Sequence, residues 1–74
     1  MDFKHTINKE ATGLKLYRLI EQSDMTFAEL AEHLELHSPR VIYDWVNGKK
    51  MPSLENLYNL AKLLNVNMED ILIF

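Results

Sequence analysis

The chain contains no cysteine, only two glycines and two prolines, and no surplus of positive charge. Without cysteine there is neither a disulfide framework nor a Cys-ligated zinc site, which fits a reducing interior. Two isolated glycines, Gly13 and Gly48, cannot make a glycine-rich phosphate loop. No apolar run approaches the ~18 residues of a membrane span, and no signal-peptide pattern opens the sequence. The expected setting is therefore the cytoplasm, with no membrane partner. Eight Lys and Arg stand against eleven Asp and Glu, a formal charge of −3, and a pI near 5.5. That balance weighs against long-range attraction of a polyanion. The basic residues are unevenly placed, however: Arg40, Lys49 and Lys50 gather in one stretch, while Glu55, Glu69 and Asp70 lie downstream.

What is present is an ordinary globular composition, 47% hydrophobic and 26% charged over 74 residues. That length holds one domain with one small core. Below roughly 80 residues core burial leaves a thin stability margin, so a partner chain is expected, most simply a second copy. No Ser/His/Asp or Cys/His set is readable, which leaves enzymatic chemistry without support. His33 and His37 are four apart, but the helix is expected to break between them at Glu35-Leu36. They are read as solvated rather than as metal ligands, and no cofactor is implied.

Periodicity gives five helices and no strand, an all-α domain. Residues 1–11 lack a clear period and are read as a partly mobile arm, with Phe3 and Ile7 available to pack against the body; the domain proper is expected over 12–74. A first helix is predicted from Gly13 to about Ser23, capped by Thr12, with Leu14, Leu16, Tyr17, Leu19 and Ile20 as its apolar stripe. The second has the clearest start. Thr26 and Glu29 form a T-x-x-E capping box, with Met25 and Leu30 as the hydrophobic staple around it. Phe27, Leu30, Ala31 and Leu34 supply its inner face. After the joint Glu35-Leu36-His37, Ser38 is expected to cap a third helix with Pro39 at its first position, where the missing N–H costs nothing. Pro39 also disfavours helical geometry at Ser38, so the two helices cannot merge. Asn47-Gly48 ends the third helix. Ser53 caps a fourth whose Leu54, Leu57, Leu60, Ala61 and Leu64 keep helical spacing, and Asn65 terminates it. Asn67 caps a short fifth, with Glu69 and Asp70 in the first turn where acids favour the helix dipole.

The third helix carries the functional signal. At about 100° per residue, Ile42, Trp45 and Val46 fall on one side and Arg40, Tyr43, Asp44 and Asn47 on the other. Most amphipathic helices merely show a solvated outer face. Here the joint before the helix is short and rigidly punctuated by Ser38-Pro39, and the helix start points Arg40 outward, where groove-reading helices make their base contacts. Arg40 suits a bidentate pair to guanine, worth about 1–3 kcal/mol of discrimination. Val41, at the edge of the face, suits a thymine methyl, and Tyr43 a phosphate or sugar. Asp44 either accepts from a cytosine amino group, orients Arg40 through an i,i+4 pair, or repels DNA; orientation of Arg40 is the favoured reading. The backbone N–H groups of Asn47 and Gly48 are candidates for a phosphate, as are the Lys49 and Lys50 side chains.

The segments T-F-A-E-L-A-E-H-L, S-P-R-V-I-Y-D-W-V-N-G and M-P-S-L-E-N-L-Y-N-L-A-K-L-L-N-V together resemble the phage-repressor-like, Xre/Cro-type helix-turn-helix family. The resemblance covers about Thr12 to Leu72. It implies a compact five-helix domain, lambda-repressor-like in fold, that binds double-stranded DNA sequence-specifically and regulates transcription, with repression the expected mode, as a homodimer on a near-palindromic site. By position, Ala31 lies where the two helices cross and only a small side chain fits. Arg40, Val41 and Asp44 fall at base-reading positions, and Asn47, with the loop after Gly48 that holds Lys49 and Lys50, falls where family members hold phosphate; Ser38 and Tyr43 are further phosphate or sugar candidates from the residues themselves. Four departures stand out. Glu35 replaces the Gly common in the joint, which is one residue longer; the extra residue is expected to reshape the turn and spare Glu35 a left-handed conformation. Phe27 occupies the place of a phosphate-binding Gln, so that contact is expected to be lost. Ile20 and Val46 stand where many members pair an Arg with a Glu, and direct contact between the two is expected. The fourth departure is the acidic net charge. The alternative function is a protein-interaction module on the same fold, an antitoxin-like protein with a protein partner, which the acidic charge and the apolar run Ile71 to Phe74 favour.

Overall fold

A computed structural model describes residues 3–74. The first two residues of the expected arm lie outside the described residues. Five helices follow in order: α1 (Lys9–Gln22), α2 (Phe27–His33), α3 (Arg40–Val46), α4 (Leu54–Leu64) and α5 (Met68–Ile71). Among the described residues there is no strand, and no helix is long and apolar enough to cross a membrane.

The helix starts are chemically explicit. Thr26 Oγ1 accepts the Glu29 N–H at 3.0 Å while Glu29 Oε1 accepts the Thr26 N–H at 2.9 Å, completing the capping box. These bonds to Thr26 hold the Glu29 carboxyl below its ordinary pKa. Ser53 caps α4 by accepting the Asn56 N–H at 3.1 Å, and Asp70 Oδ2 accepts the Asn67 N–H at 2.9 Å at the start of α5.

The start of α1 differs from the sequence expectation. The helix begins at Lys9, and its cap is Asn8, which accepts the Ala11 N–H at 3.0 Å. Thr12, expected as the cap, lies inside the helix at 3% exposure. Its hydroxyl accepts the Ile73 N–H at 2.9 Å and donates to the Ile73 carbonyl at 3.3 Å. The same carbonyl takes the Asn8 N–H at 2.7 Å. A β-branched threonine is tolerated here because its hydroxyl satisfies backbone groups 61 residues away. The extended segment therefore ends at Asn8, with Ile7 half-buried and Phe3 almost fully exposed.

The core gathers Leu16 and Ile20 from α1, Leu30 and Ala31 from α2, Ile42 and Trp45 from α3, Leu57, Leu60, Ala61 and Leu64 from α4, and Ile71 from α5. The outer members of the apolar stripes fall short of it: Leu14, Tyr17 and Leu54 are exposed. Val46 is half-buried and packs against the core from a cleft it shares with Leu14 and Tyr17, whereas Ile20 is wholly interior.

Gly13 fixes how α1 lies on α3. A β-carbon at this position would stand 2.6 Å from the Val46 carbonyl oxygen and 2.7 Å from that of Trp45. Both are backbone atoms at the end of a helix and cannot turn aside. Gly13→Ala adds helix propensity of up to about 1 kcal/mol but forces the two helices apart, an overpacking cost of about 1–3 kcal/mol or more. The expected net result is a lower thermal midpoint, by roughly 5–10 °C in a domain of this size. A wild-type midpoint in calorimetry would show that the helices do not approach this closely.

Candidate nucleic-acid interface

The α2–α3 unit presents the proposed site. Helix α2 closes on Leu34, after which Glu35 adopts φ 56°. The Glu35 N–H then reaches the Glu32 carbonyl at 3.1 Å and the Leu36 N–H the Ala31 carbonyl at 2.9 Å, the paired bonds of a Schellman motif. The expectation that the longer joint would spare Glu35 is thus corrected. Both carbonyls of the last turn need donors, and the left-handed residue supplies them whether or not it is glycine. Leu36 is half-buried and packs against the core, which anchors the turn.

Pro39 has already adopted helical angles, φ −58° and ψ −20°, and takes the cap position of α3. Ser38, expected as the cap, lies one residue further out. Its Oγ nevertheless accepts the Arg40 N–H at 3.1 Å, while the Pro39 carbonyl takes the Ile42 N–H at 2.9 Å. At the other end, Gly48 has φ 74° and its α-carbon faces the Glu10 backbone at 3.0 Å from where a β-carbon would be. The Asn47 and Gly48 N–H groups, expected to face a phosphate, are both spent inside the helix end, on Tyr43 at 3.0 Å and Trp45 at 3.1 Å. The Lys49 and Lys50 N–H groups likewise reach the Asp44 carbonyl, at 2.9 Å and 3.3 Å. A helix C-terminus consumes donors to satisfy its carbonyls, so only side chains remain for an external anion here.

The two faces of α3 are cleanly separated. Ile42 is 0% and Trp45 5% exposed, both within the core cluster, whereas Tyr43 is 52% exposed. Arg40, Asn47, Lys49 and Lys50 are exposed, and Ser38, Val41 and Asp44 are half-buried along the rim. None of the proposed contact residues is buried. His33 ends α2 while His37 sits in the turn beyond it, both exposed.

An aromatic wall borders this surface. The rings of Phe27 and Tyr43 lie 4.5 Å apart at 51°, and Tyr17 meets Phe27 edge-on at 6.4 Å. With Leu14, Val46 and Asn47 they line a shallow cleft of about 310 Å³. The sequence pattern assigns Tyr17 and Phe27 to the inner stripes of their helices, and Phe27 also to a lost polar contact, without bringing the two rings together with Tyr43. The available signal was their position at the outer edges of two amphipathic helices, beside an outward Tyr43.

An α-helical pair joined by a tight turn, with the second helix split between core and solvent, defines a helix-turn-helix domain. The chain belongs to the phage-repressor-like helix-turn-helix family, whose sequence pattern matches residues 14–71. Its fold is similar to that of the DNA-binding domain of BldD, with TM-score 0.72 and 18% identity over 88% of this chain and 93% of that one. It is also similar to the clp gene regulator ClgR from C. glutamicum, with TM-score 0.77 and 26% identity over 95% of this chain and 88% of that one. Among curated proteins no sequence matches this chain.

The turn geometry makes Glu35 a site of stored strain. Glu35→Gly keeps both Schellman bonds while removing the steric penalty of a left-handed L-residue, partly offset by greater freedom of the unfolded chain. A gain of about 0.5–1 kcal/mol is expected, seen as a thermal midpoint a few degrees higher. A lower midpoint would place the determinant of the turn elsewhere.

Proposed function

We propose that this protein is a DNA-binding transcriptional regulator, a repressor acting from the cytoplasm, that inserts α3 into the major groove of double-stranded DNA. The observation that carries this reading is the division of α3: Trp45 and Ile42 are locked in the interior while Arg40, Tyr43 and Asn47 stand clear of it. Family membership and similarity to the fold of ClgR support it. Arg40, Val41 and Asp44 read bases, with Asp44 orienting Arg40 from one turn away. Ser38, Tyr43, Asn47, Lys49 and Lys50 hold phosphate or sugar. No enzymatic step is assigned to any residue.

The small core favours a homodimer, which would set two copies of α3 about 34 Å apart on successive turns of a near-palindromic site. The acidic balance lowers non-specific affinity without removing the face. A second reading, an antitoxin-like protein-binding module, is favoured by that same charge and by the exposed ring of Phe74 at 63%.

Selection of duplexes from a random pool separates the two. Enrichment of a defined, two-fold related sequence is expected; a pool that never enriches would overturn DNA reading and favour the protein partner. Arg40→Ala should then weaken the selected duplex by about 1–3 kcal/mol and a random duplex far less. Lys49→Ala should weaken both alike and reduce the slope of log K against log salt by about 1. The reverse pattern for the two variants would contradict their assigned roles.

A further inference from the structure

We infer that Phe27 is a positioning residue for DNA recognition, acting through Tyr43: three rings from three helices brace one another so that the Tyr43 phenol is held at the edge of the DNA-facing surface. The inference rests on the DNA-contacting role proposed for Tyr43. Phe27 opens α2 and is half-buried, its inner side packed against the core. Its outer side carries the Tyr43 ring at a centroid distance of 4.5 Å, and the Tyr17 edge closes on it from α1 at 6.4 Å. Distances in this range are those of attractive aromatic pairs.

The arrangement matters because Tyr43 is otherwise a surface side chain. At 52% exposure it has room for alternative rotamers, and ordering such a side chain on binding opposes association. Contact with Phe27 removes that freedom beforehand. Asn47, one turn along α3, lines the same cleft as both rings, so the phenol is held beside a second polar group on the same helix. Phe27 also ties α2 to the middle of α3 by side-chain packing alone, in addition to the short backbone joint. The cleft includes Asn47 and shares no lining residue with the one formed by Phe3 and Phe74.

The probes are the duplex selected by the wild-type chain and a random-sequence duplex of the same length. Phe27→Leu should weaken the selected duplex about three- to ten-fold, within the range set by immobilising one side chain. In a Tyr43→Ala background the same change should cost less than two-fold, so the double-mutant cycle reports coupling. Equal losses in both backgrounds would make Phe27 merely structural and overturn the inference while leaving DNA reading by Arg40 intact. An inert Tyr43→Ala would overturn both the inference and the Tyr43 contact, again without touching Arg40. Phe27→Met serves as the second variant if Phe27→Leu does not fold by circular dichroism. Independently of any variant, ring-proton NMR of the wild-type chain should show Tyr43 shifted by the Phe27 ring and still shifted in the complex with the selected duplex. Loss of that shift on binding would overturn the inference.

Discussion

The close approach of α1 to the end of α3 governs the rest of the molecule. At Gly13 the two helices meet with no side chain between them, against the Val46 and Trp45 carbonyls. Gly48 repeats the device from the other side, passing the Glu10 backbone at close quarters. These two contacts set the depth at which α3 sits, and hence how far its outer face stands proud of the domain. Trp45 fills the interior directly beneath. A helix of only seven residues has little stability of its own, so its orientation is borrowed from α1 through contacts made at the chain's two glycines.

Three helix ends are closed by the same chemistry with different residues. Glu35, Gly48 and Asn65 all take positive φ, and the following N–H groups reach back to Ala31, Asp44 and Ala61. Glycine is used where another backbone crowds the α-carbon, asparagine where only the angle is needed. Glutamate appears at the joint between α2 and α3. There the half-buried Leu36 holds the turn through packing, so the left-handed residue is imposed by its surroundings rather than chosen for its own preference.

Legibility in the sequence followed locality. The capping box of Thr26 and Glu29, the Ser53 cap and the Asn65 stop are signals contained within a few residues, and each is found in place. The partition of α3 was readable for the same reason, because 3.6-residue periodicity with one tryptophan leaves little choice of inner face. The start of α1 was not. Lys9, Glu10 and Ala11 show no apolar period because the first two side chains are exposed and the third is small and half-buried, and the role of Thr12 depends on Ile73, which no local pattern reveals. Glu35 was misread because residue preference argued one way and tertiary packing the other. The aromatic wall escaped because stripes were read helix by helix, whereas Tyr17, Phe27 and Tyr43 meet only once three helices are assembled.

The bonds between Thr12, Asn8 and Ile73 have a temporal side. A ribosome delivers α1 first, yet the groups that complete its opening turn are displayed 61 residues later. Closing so distant a pair is entropically slow compared with forming a helix. Until that segment emerges, the nascent chain holds a helical pair whose foundation is still open. The opening of α1 is thus fixed by a long-range contact that its local turns cannot supply.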